Sequence, residues 1–181
     1  DFGYVGYEQN GSNWWYVYGG QVCFQATDVL PGTVGGQYGW WKDWEGKVNF
    51  DDDVCENTYG WWKITTGKVD FQYTGLAQNA CGWWMIQNGH VNFGSNGLVD
   101  NGNGWWLVRN GGVDFNYNGL VDNGNGWWLI RNGYVDFDYN GLVDNGNGWW
   151  LVKNGCVDFS YQGYVQNECG VWWVSNGQVQ F

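Results

Sequence analysis

The sequence predicts an all-β fold, a repetitive β-hairpin solenoid of about eight repeats that are 21 to 26 residues long. Three observations predict it: a regular spacing of phenylalanines, a recurring Asn-Gly dipeptide, and 32 glycines among 181 residues. Because glycine inside a helix costs about 1 kcal/mol relative to alanine, this density of glycine argues against helices. Several short apolar runs separated by turn signals at a fixed period are typical of repeat proteins.

A phenylalanine closes every repeat. The units end at Phe24, Phe50, Phe71, Phe93, Phe115, Phe137, Phe159 and Phe181. The steps are 22 residues, except for one of 26 and one of 21. Asp1 and Phe2 match the end of a unit, so we interpret them as the tail of an earlier strand. Residues 1–181 therefore form a single repeat array, which we expect to be a segment of a longer protein.

Each repeat contains a predicted hairpin. In the fifth repeat, Trp105–Arg109 and Gly112–Tyr117 flank Asn110-Gly111. Asn-Gly between two such runs is a strong hairpin signal, because a type I′ turn needs positive φ at both central residues. A two-residue turn sets Val108 opposite Val113, Leu107 opposite Asp114 and Trp106 opposite Phe115.

This register divides the hairpin into two faces, since side chains alternate along a strand. One face is apolar (Trp106, Val108, Val113, Phe115, Tyr117) and the other is mixed (Trp105, Leu107, Arg109, Asp114, Asn116). The position of Leu107 is Lys42 and Lys63 in two other repeats, which indicates that it reaches solvent. The position of Trp106 is tryptophan in all eight repeats, which predicts the core.

The position of Trp105 is tryptophan in seven repeats and lies on the mixed face. Such a residue either packs under the neighbouring hairpin or forms an open ring platform for a ligand. The second alternative makes this column the candidate binding site, because tryptophan is the best ring for holding a cation and flat rings also stack on sugars. The candidate residues are Trp61, Trp83, Trp105, Trp127 and Trp149, with Asp114, Asp136, Asp158, Arg109 and Arg131 beside them.

Charge and composition narrow the function. Seven Lys and Arg residues against 18 Asp and Glu give a formal net charge of −11, which argues against nucleic acid as a partner. No apolar run approaches the length of a membrane span, so membrane insertion is not expected. His90 is the only histidine, and its place after the Asn-Gly turn predicts an exposed turn residue. Because a nucleophile needs a positioned base, no catalytic residue is predicted. Aspartates that recur in every repeat argue for structure or ligand contact rather than a unique catalytic pair.

No metal site or cofactor is predicted either. The run from Asp100 to Gly104 resembles a fragment of a calcium loop. One aspartate per loop supplies too few carboxylate ligands for calcium, and the same residue types are common in turns. The five cysteines lack the spacing of a zinc site. Two pairs, Cys55 with Cys81 and Cys156 with Cys169, are candidates for disulfides in an exported protein, which leaves Cys23 unpaired.

The run Gly104-Trp-Trp-Leu-Val-x-Asn-Gly-x-Val-Asp-Phe-x-Tyr-x-Gly-Leu resembles the aromatic hairpin repeats of Gram-positive surface proteins. The related families are choline-binding, glucan-binding and clostridial toxin repeats. This resemblance covers all eight units and implies an open β-solenoid with ligands between successive hairpins, held by the Trp105 column. Gly97-Leu98 and its copies stand where the family commonly has Gly-Trp, so the resemblance implies an aromatic platform without fixing the ligand.

Together these features predict a non-catalytic, multivalent module that binds a carbohydrate or cell-wall polymer and belongs to an exported or surface-attached bacterial protein. Repetition suits weak sites, because linked sites gain avidity. The alternative is a surface module that binds a host protein, such as an immunoglobulin, through the same tryptophan face, as in an adhesin. A purely structural stalk is a third possibility.

Overall fold

The structure is a computed structural model that describes residues 2–181; Asp1 of the predicted leading strand lies outside this range. The described residues form strands, turns and irregular segments without a helix. Accordingly, none of these residues lies in a helix long and apolar enough to span a membrane. The predicted all-β fold of repeated hairpins is confirmed.

The chain divides into two compact units, with the boundary between Gly94 and Ser95. The first unit contains β1 Val5–Asn10, β2 Asn13–Tyr18, β3 Gln21–Val22, β4 Val29–Val34, β5 Gln37–Trp44, β6 Lys47–Val48, β7 Asp53–Asn57, β8 Gly60–Thr65, β9 Lys68–Val69, β10 Gly75–Asn79, β11 Gly82–Gln87 and β12 His90–Val91. The second contains β13 Gly97–Asp100, β14 Trp105–Arg109, β15 Gly112–Val113, β16 Gly119–Asp122, β17 Trp127–Arg131, β18 Tyr134–Val135, β19 Gly141–Asp144, β20 Trp149–Lys153, β21 Cys156–Val157, β22 Gln162–Asn167, β23 Gly170–Ser175 and β24 Gln178–Gln180. A single array over 1–181 stays a prediction.

Each repeat has three strands, one more than the sequence predicted. In the fifth repeat β13 pairs antiparallel with β14, with Leu98 opposite Leu107 and Asp100 opposite Trp105. The loop from Asp100 to Gly104, interpreted above as turn chemistry, joins these two strands. Its Asp100 Oδ1 accepts a hydrogen bond from the Gly102 N–H at 2.8 Å. β13 was not predicted from the sequence, because a four-residue strand between glycine-rich segments has little periodicity of its own.

The Asn-Gly turns are confirmed. Asn110 has φ 49° and Gly111 has φ 79°, and the copies at Asn88, Asn132, Asn154 and Asn176 have φ of 50° or 51°. Val108 faces Val113 and Arg109 faces Gly112, as predicted. The turn glycine also serves packing: a Cβ on Gly133 would meet the Asp114 carbonyl oxygen at 2.5 Å. The turn therefore lies directly against the preceding repeat.

The strand after the turn is shorter than predicted. Gly112–Tyr117 was expected to pair along the whole of β14, but β15 ends at Val113. The Asp114 carboxylate accepts a hydrogen bond from the Asn116 N–H at 3.1 Å and so turns the chain away. The expected backbone pairing of Trp106 with Phe115 is therefore wrong. Trp106 pairs instead with Tyr134 of the next repeat.

This pairing between repeats recurs in both units. Trp41 pairs with Lys68 and Trp62 with His90 in the first unit, and Trp128 pairs with Cys156 in the second. Each link is completed by the turn of the next repeat, for example by the Leu107 N–H, which donates to the Gly133 carbonyl at 2.8 Å. The short strands thus join each Trp-Trp strand to the repeat that follows it.

Both faces of the Trp-Trp strand are buried, which corrects the face assignment. Val108, Ile130 and Val152 are completely buried, whereas the Trp106 column, predicted as the core, is mostly half-buried. The Leu107 position, predicted to reach solvent, is also buried: Leu107 is 2% exposed and packs against Ile130 and Val135 of the next repeat. The mixed face is therefore an interface between repeats.

The lysines that suggested exposure at this position are buried along their stems. Lys63 is 8% exposed and Lys42 keeps only 13% of its side chain in water. Their ammonium groups reach carboxylates, Lys42 Nζ lying 2.6 Å from Asp53 and Lys63 Nζ 3.5 Å from Asp52. A long aliphatic stem can cross an apolar interface while its charged end stays paired, which is why lysine was a misleading signal of exposure.

Asp43 is a carboxylate buried in the core of the first unit. It occupies the position that is Val108 in the fifth repeat and, although charged when ionised, is only 2% exposed. The Tyr7 hydroxyl donates to both carboxylate oxygens at 3.1 Å. Burial raises the pKa of Asp43 to about 7, although the Tyr7 hydrogen bond works in the opposite direction.

Candidate functional site: aromatic cages between repeats

The Trp105 column packs against the next repeat and forms three-ring clusters there. We call each cluster an aromatic cage: the Trp105-type residue of one repeat, with the Trp106-type and Phe115-type residues of the next. In one cage the Trp105 ring lies 5.4 Å from Trp128 and 6.2 Å from Phe137, and Trp128 lies 5.6 Å from Phe137. The three rings meet at large angles, with the Trp105 and Phe137 planes 85° apart.

The same cage recurs in both units. Trp61, Trp84 and Phe93 form it in the first unit, with centroids 5.2 to 6.1 Å apart. Trp127, Trp150 and Phe159 form it in the second, with centroids 4.9 to 5.8 Å apart. The phenylalanines stay partly open to solvent, Phe93 at 45% and Phe159 at 42%. Each of these cages therefore presents the edge of its phenylalanine to solvent.

The cage of Trp149, Trp172 and Phe181 encloses a cavity of about 240 Å³. Leu142 and Val179 form its apolar floor, and the remaining lining residues are Asn167 and Cys169. None of these lining side chains is charged. Leu142 is the leucine of the Gly-Leu dipeptide, so the position that carries tryptophan in the resembling family lies in the floor of the cavity.

An asparagine from the hairpin loop orients the second tryptophan of some cages. The Trp84 indole N–H donates to Asn79 Oδ1 at 3.0 Å, and the Trp172 indole N–H donates to Asn167 Oδ1 at 2.9 Å. In the sixth repeat Asn123 Oδ1 instead accepts from the Asn125 backbone at 3.0 Å, and Trp128 Nε1 is buried without a hydrogen-bond partner. The cage rings are thus held in place mainly by packing.

The predicted tryptophans Trp61, Trp105, Trp127 and Trp149 all lie in cages, and Trp83 is half-buried. The sequence leaves two alternative roles for these tryptophans, packing between hairpins and ligand contact. The cage geometry allows both. The structure adds the Phe115 column, which sequence reasoning assigned to the core. The sequence signal for this column is the phenylalanine that closes each repeat.

The predicted charged residues pair with one another, and the aspartates directly precede the phenylalanines of the Phe115 column in the sequence. Arg109 Nη1 lies 3.3 Å from Asp114 Oδ2, and the guanidinium lies 4.2 Å from the Tyr117 ring centre. Arg131, Asp136 and Tyr139 repeat this arrangement, as do Lys153, Asp158 and Tyr161. Arg109 is four residues from Trp105 along an extended strand, a separation of about 13 Å. Ligand contact by these residues stays a prediction.

His90 is not an exposed turn residue, as the sequence analysis expected. It is half-buried, and its ring packs at 5.0 Å against Trp62. A Cβ on Gly60 would collide with this imidazole, so this glycine makes room for the residue that follows the Asn88-Gly89 turn.

The five cysteines are free thiols, so neither of the disulfides considered above is formed. Burial raises the pKa of Cys55 to about 12, and the neighbouring Asp53 adds to this effect. Residues 2–181 contain no group of three or more His, Cys, Asp or Glu side chains arranged to hold a metal ion.

The repeats match a known family model. The model described as choline-binding repeat matches residues 72–92, 94–114, 116–136 and 138–158, four consecutive units of the period found above. These four units are therefore similar to choline-binding repeats. Comparison of the chain with curated proteins finds no match.

The chain is also similar to solved structures. Choline-binding protein F from Streptococcus pneumoniae is 21% identical, with a TM-score of 0.38, over 95% of this chain and 58% of that one. A second structure of choline-binding protein F, in complex with ipratropium, is 20% identical, with a TM-score of 0.38, over 95% of this chain and 60% of that one. An alternansucrase in complex with isomaltononaose is 13% identical, with a TM-score of 0.34, over 98% of this chain and 15% of that one. The chain therefore spans less than two thirds of these proteins.

Proposed function

We propose that the chain is a non-catalytic binding module whose aromatic cages hold trimethylammonium groups, such as choline carried by a bacterial cell-wall polymer. The observation that carries this proposal is the cage itself. Two tryptophans and a phenylalanine meet at large angles in the cage of Trp105, and the equivalent cage of Trp149 encloses a cavity. The match of four units to choline-binding repeats supports the same ligand class.

The chemistry of the cavity suits a cation without hydrogen-bond donors. A trimethylammonium group presents methyl groups that carry partial positive charge, and aromatic faces attract that charge through their quadrupole. Leu142 and Val179 offer apolar contact to the methyl groups. The net charge of −11 adds a long-range attraction for cations. No ion pair with the cavity lining is needed, because the rings supply the electrostatic contact.

The ring geometry favours an ammonium group over a sugar in these cages. A sugar stacks on one flat, open ring face, whereas here the Trp127 and Phe159 planes are 85° apart. Perpendicular rings enclose a roughly spherical group better than a flat one. Carbohydrate in the polymer backbone would then contact the protein outside the cages.

Repetition of the cage makes the module multivalent toward a polymer. Linked weak sites gain avidity of about 10²–10⁴ when the ligand can occupy several at once. A polymer with many choline groups would therefore hold a surface-attached protein at the cell wall, which is the location that we propose. No contact among residues 2–181 gives specific support to the alternative of a host-protein partner.

The test is a titration followed by the indole ¹H–¹⁵N signals of the tryptophans. Choline is compared with 3,3-dimethyl-1-butanol, its neutral carbon isostere. We expect choline to shift the Trp127 and Trp150 signals at lower concentration than the isostere, because only choline gains the cation–ring attraction. Equal apparent affinity for both ligands, or no shift with either, would refute the proposal.

Phe159→Leu is the matched variant, since leucine keeps apolar volume at a residue that is 42% exposed. Loss of one ring should weaken choline binding at that cage by about two- to fivefold. Binding at the cage of Trp105, Trp128 and Phe137 should stay unchanged and serves as the internal control. Weakening at both cages would point to a general loss of structure, which a thermal melt would reveal.

A further inference from the structure

The cages share their three rings but differ at their mouths. The residue two positions before the Trp105 column lines the cavity of Trp149 and Trp172, where it is Cys169. We call this the rim position. Its residues are Ser12, Tyr38, Tyr59, Cys81, Asn103, Asn125, Asn147 and Cys169, all exposed. The rim is therefore a variable position beside constant rings.

Tyr59 places a fourth ring against one cage. Its ring centre lies 5.4 Å from that of Trp40, with the two planes at 65°. Trp40 lies 5.7 Å from Trp62, which in turn lies 5.6 Å from Phe71. Four rings thus follow one another around this cage. Tyr59 is 74% exposed, so most of its ring remains open to a ligand at the mouth.

The conformation of the rim is the same in repeats with different rim residues. The Tyr59 N–H donates to Asn57 Oδ1 at 2.9 Å. The Cys81 N–H donates to Asn79 Oδ1, and the Cys169 N–H to Asn167 Oδ1, both at 2.9 Å. Because the backbone is held alike, the side chain at this position alone determines what the mouth of the cage offers.

Tyrosine also stands at the rim position of the second repeat. Tyr38 is 70% exposed and lines a cavity of about 640 Å³ together with Trp14 and Tyr7. A tyrosine at this position offers an exposed ring face to a cationic ligand. A thiol or an amide at this position supplies no ring face for a cation.

We infer that the rim residue sets the ligand preference of each cage, and that Tyr59 makes the cage of Trp40, Trp62 and Phe71 the more selective for trimethylammonium over a neutral ligand. This inference rests on the proposed function. The repeats then form a graded series, in which tyrosine-rimmed cages in the first unit bind cations more tightly than the cysteine-rimmed cage of the second.

The test exchanges rim residues between matched loops. Tyr59→Ser introduces the residue of the first repeat, Tyr59→Phe keeps the ring, and Cys169→Tyr adds a ring to the open cavity. Choline and 3,3-dimethyl-1-butanol are titrated into the full chain, and the indole signals of Trp62 and Trp172 report the two cages separately. Assignments come from Trp62→Phe and Trp172→Phe.

We expect Tyr59→Ser to raise the choline Kd at the Trp62 signal about two- to fivefold and to leave the Trp172 signal unchanged. Tyr59→Phe should bind choline as the wild type does, and Cys169→Tyr should lower the choline Kd at Trp172. The Kd of the neutral isostere should change less than that of choline in each variant. A thermal melt checks that these exposed substitutions leave the fold intact.

Three outcomes overturn the inference in different ways. If wild-type cages bind choline but Tyr59→Ser leaves the Kd at Trp62 unchanged, the rim has no role in selectivity and the proposed function survives. If choline shifts no indole signal in the wild type, the proposed function fails and the inference fails with it. Equal changes for choline and its isostere would reduce Tyr59 to an apolar contact and also refute its role in selectivity.

Discussion

Replacing Asp43 by valine should stabilise the first unit and remove a pH dependence. Asp43 is buried in a position that is valine or isoleucine in the other repeats, and its pKa is about 7. An unfolded aspartate has a pKa near 3.8. The folded state therefore keeps its proton over a range in which the unfolded state has lost it, so stability falls as the pH rises from about 4 to about 7.

The magnitude follows from this difference in pKa. Ionisation of Asp43 in the folded state costs about 4 kcal/mol above pH 7, at 1.36 kcal/mol for each pH unit between the two pKa values. Valine removes that cost but also removes the hydrogen bond from Tyr7, which is worth about 1 kcal/mol. The Tyr7 hydroxyl retains the Leu30 carbonyl at 3.4 Å. The net gain should be about 3 kcal/mol at pH 8 and much smaller at pH 5.

The assay is urea denaturation at pH 5 and pH 8, followed by tryptophan fluorescence. The wild type should show a transition of the first unit at lower urea concentration at pH 8 than at pH 5, and Asp43→Val should show nearly equal midpoints. Asp51→Val, at an exposed aspartate of the same unit, is the control and should keep the wild-type pH dependence. A pH dependence that persists in Asp43→Val would refute the assignment to Asp43.

Three further predictions test the packing and the surface. Gly104→Ala should destabilise the second unit by about 2 kcal/mol or more, because Gly104 has φ 150° and the new Cβ would collide with the Tyr134 ring; adding Tyr134→Gly should recover part of this loss in a thermal melt, and no recovery would contradict the collision. Asp136→Asn should change stability by less than about 1 kcal/mol, since Arg131 in this pair keeps 52% of its side chain exposed; a larger shift in the urea midpoint would assign the pair a structural role. At pH 8 a thiol reagent should modify the exposed Cys81 and Cys169 first and Cys55 slowly, because Cys55 is half-buried with a pKa of about 12; peptide mass spectrometry measures the order, and early modification of Cys55 would show that it is accessible.

Local features of the fold were predictable because their causes lie within a few residues. The Asn-Gly turns, the pairing of Val108 with Val113 and the period of the repeats all follow from local sequence. The end of β15 was not predictable in the same way, because the Asp114 side chain competes for the backbone only after the turn has formed. The short strand β13 was missed for lack of a pattern.

One part of the candidate site, the Trp105 column, was predictable from the sequence, and the rings that complete each cage were not. The sequence singled out the Trp105 column because tryptophan recurred on a face with polar neighbours. It did not reveal that Trp105 meets Trp128 and Phe137, which lie in the next repeat. The lysines at the Leu107 position indicated exposure, but their stems are buried and their charges paired.

The sequence by itself determined the repeat, the turns and the strands that carry the tryptophan pairs, since turn chemistry and side-chain alternation act over short distances. Only the tertiary structure decided which face each repeat covers on its neighbour. That contact joins residues about 22 positions apart and depends on how successive hairpins stack, a geometry for which no short run of residues is diagnostic. The cages arise from that stacking. Within one hairpin the Trp106 column was predicted as core and the Trp105 column as a platform, and between two hairpins both columns contribute rings to one cage.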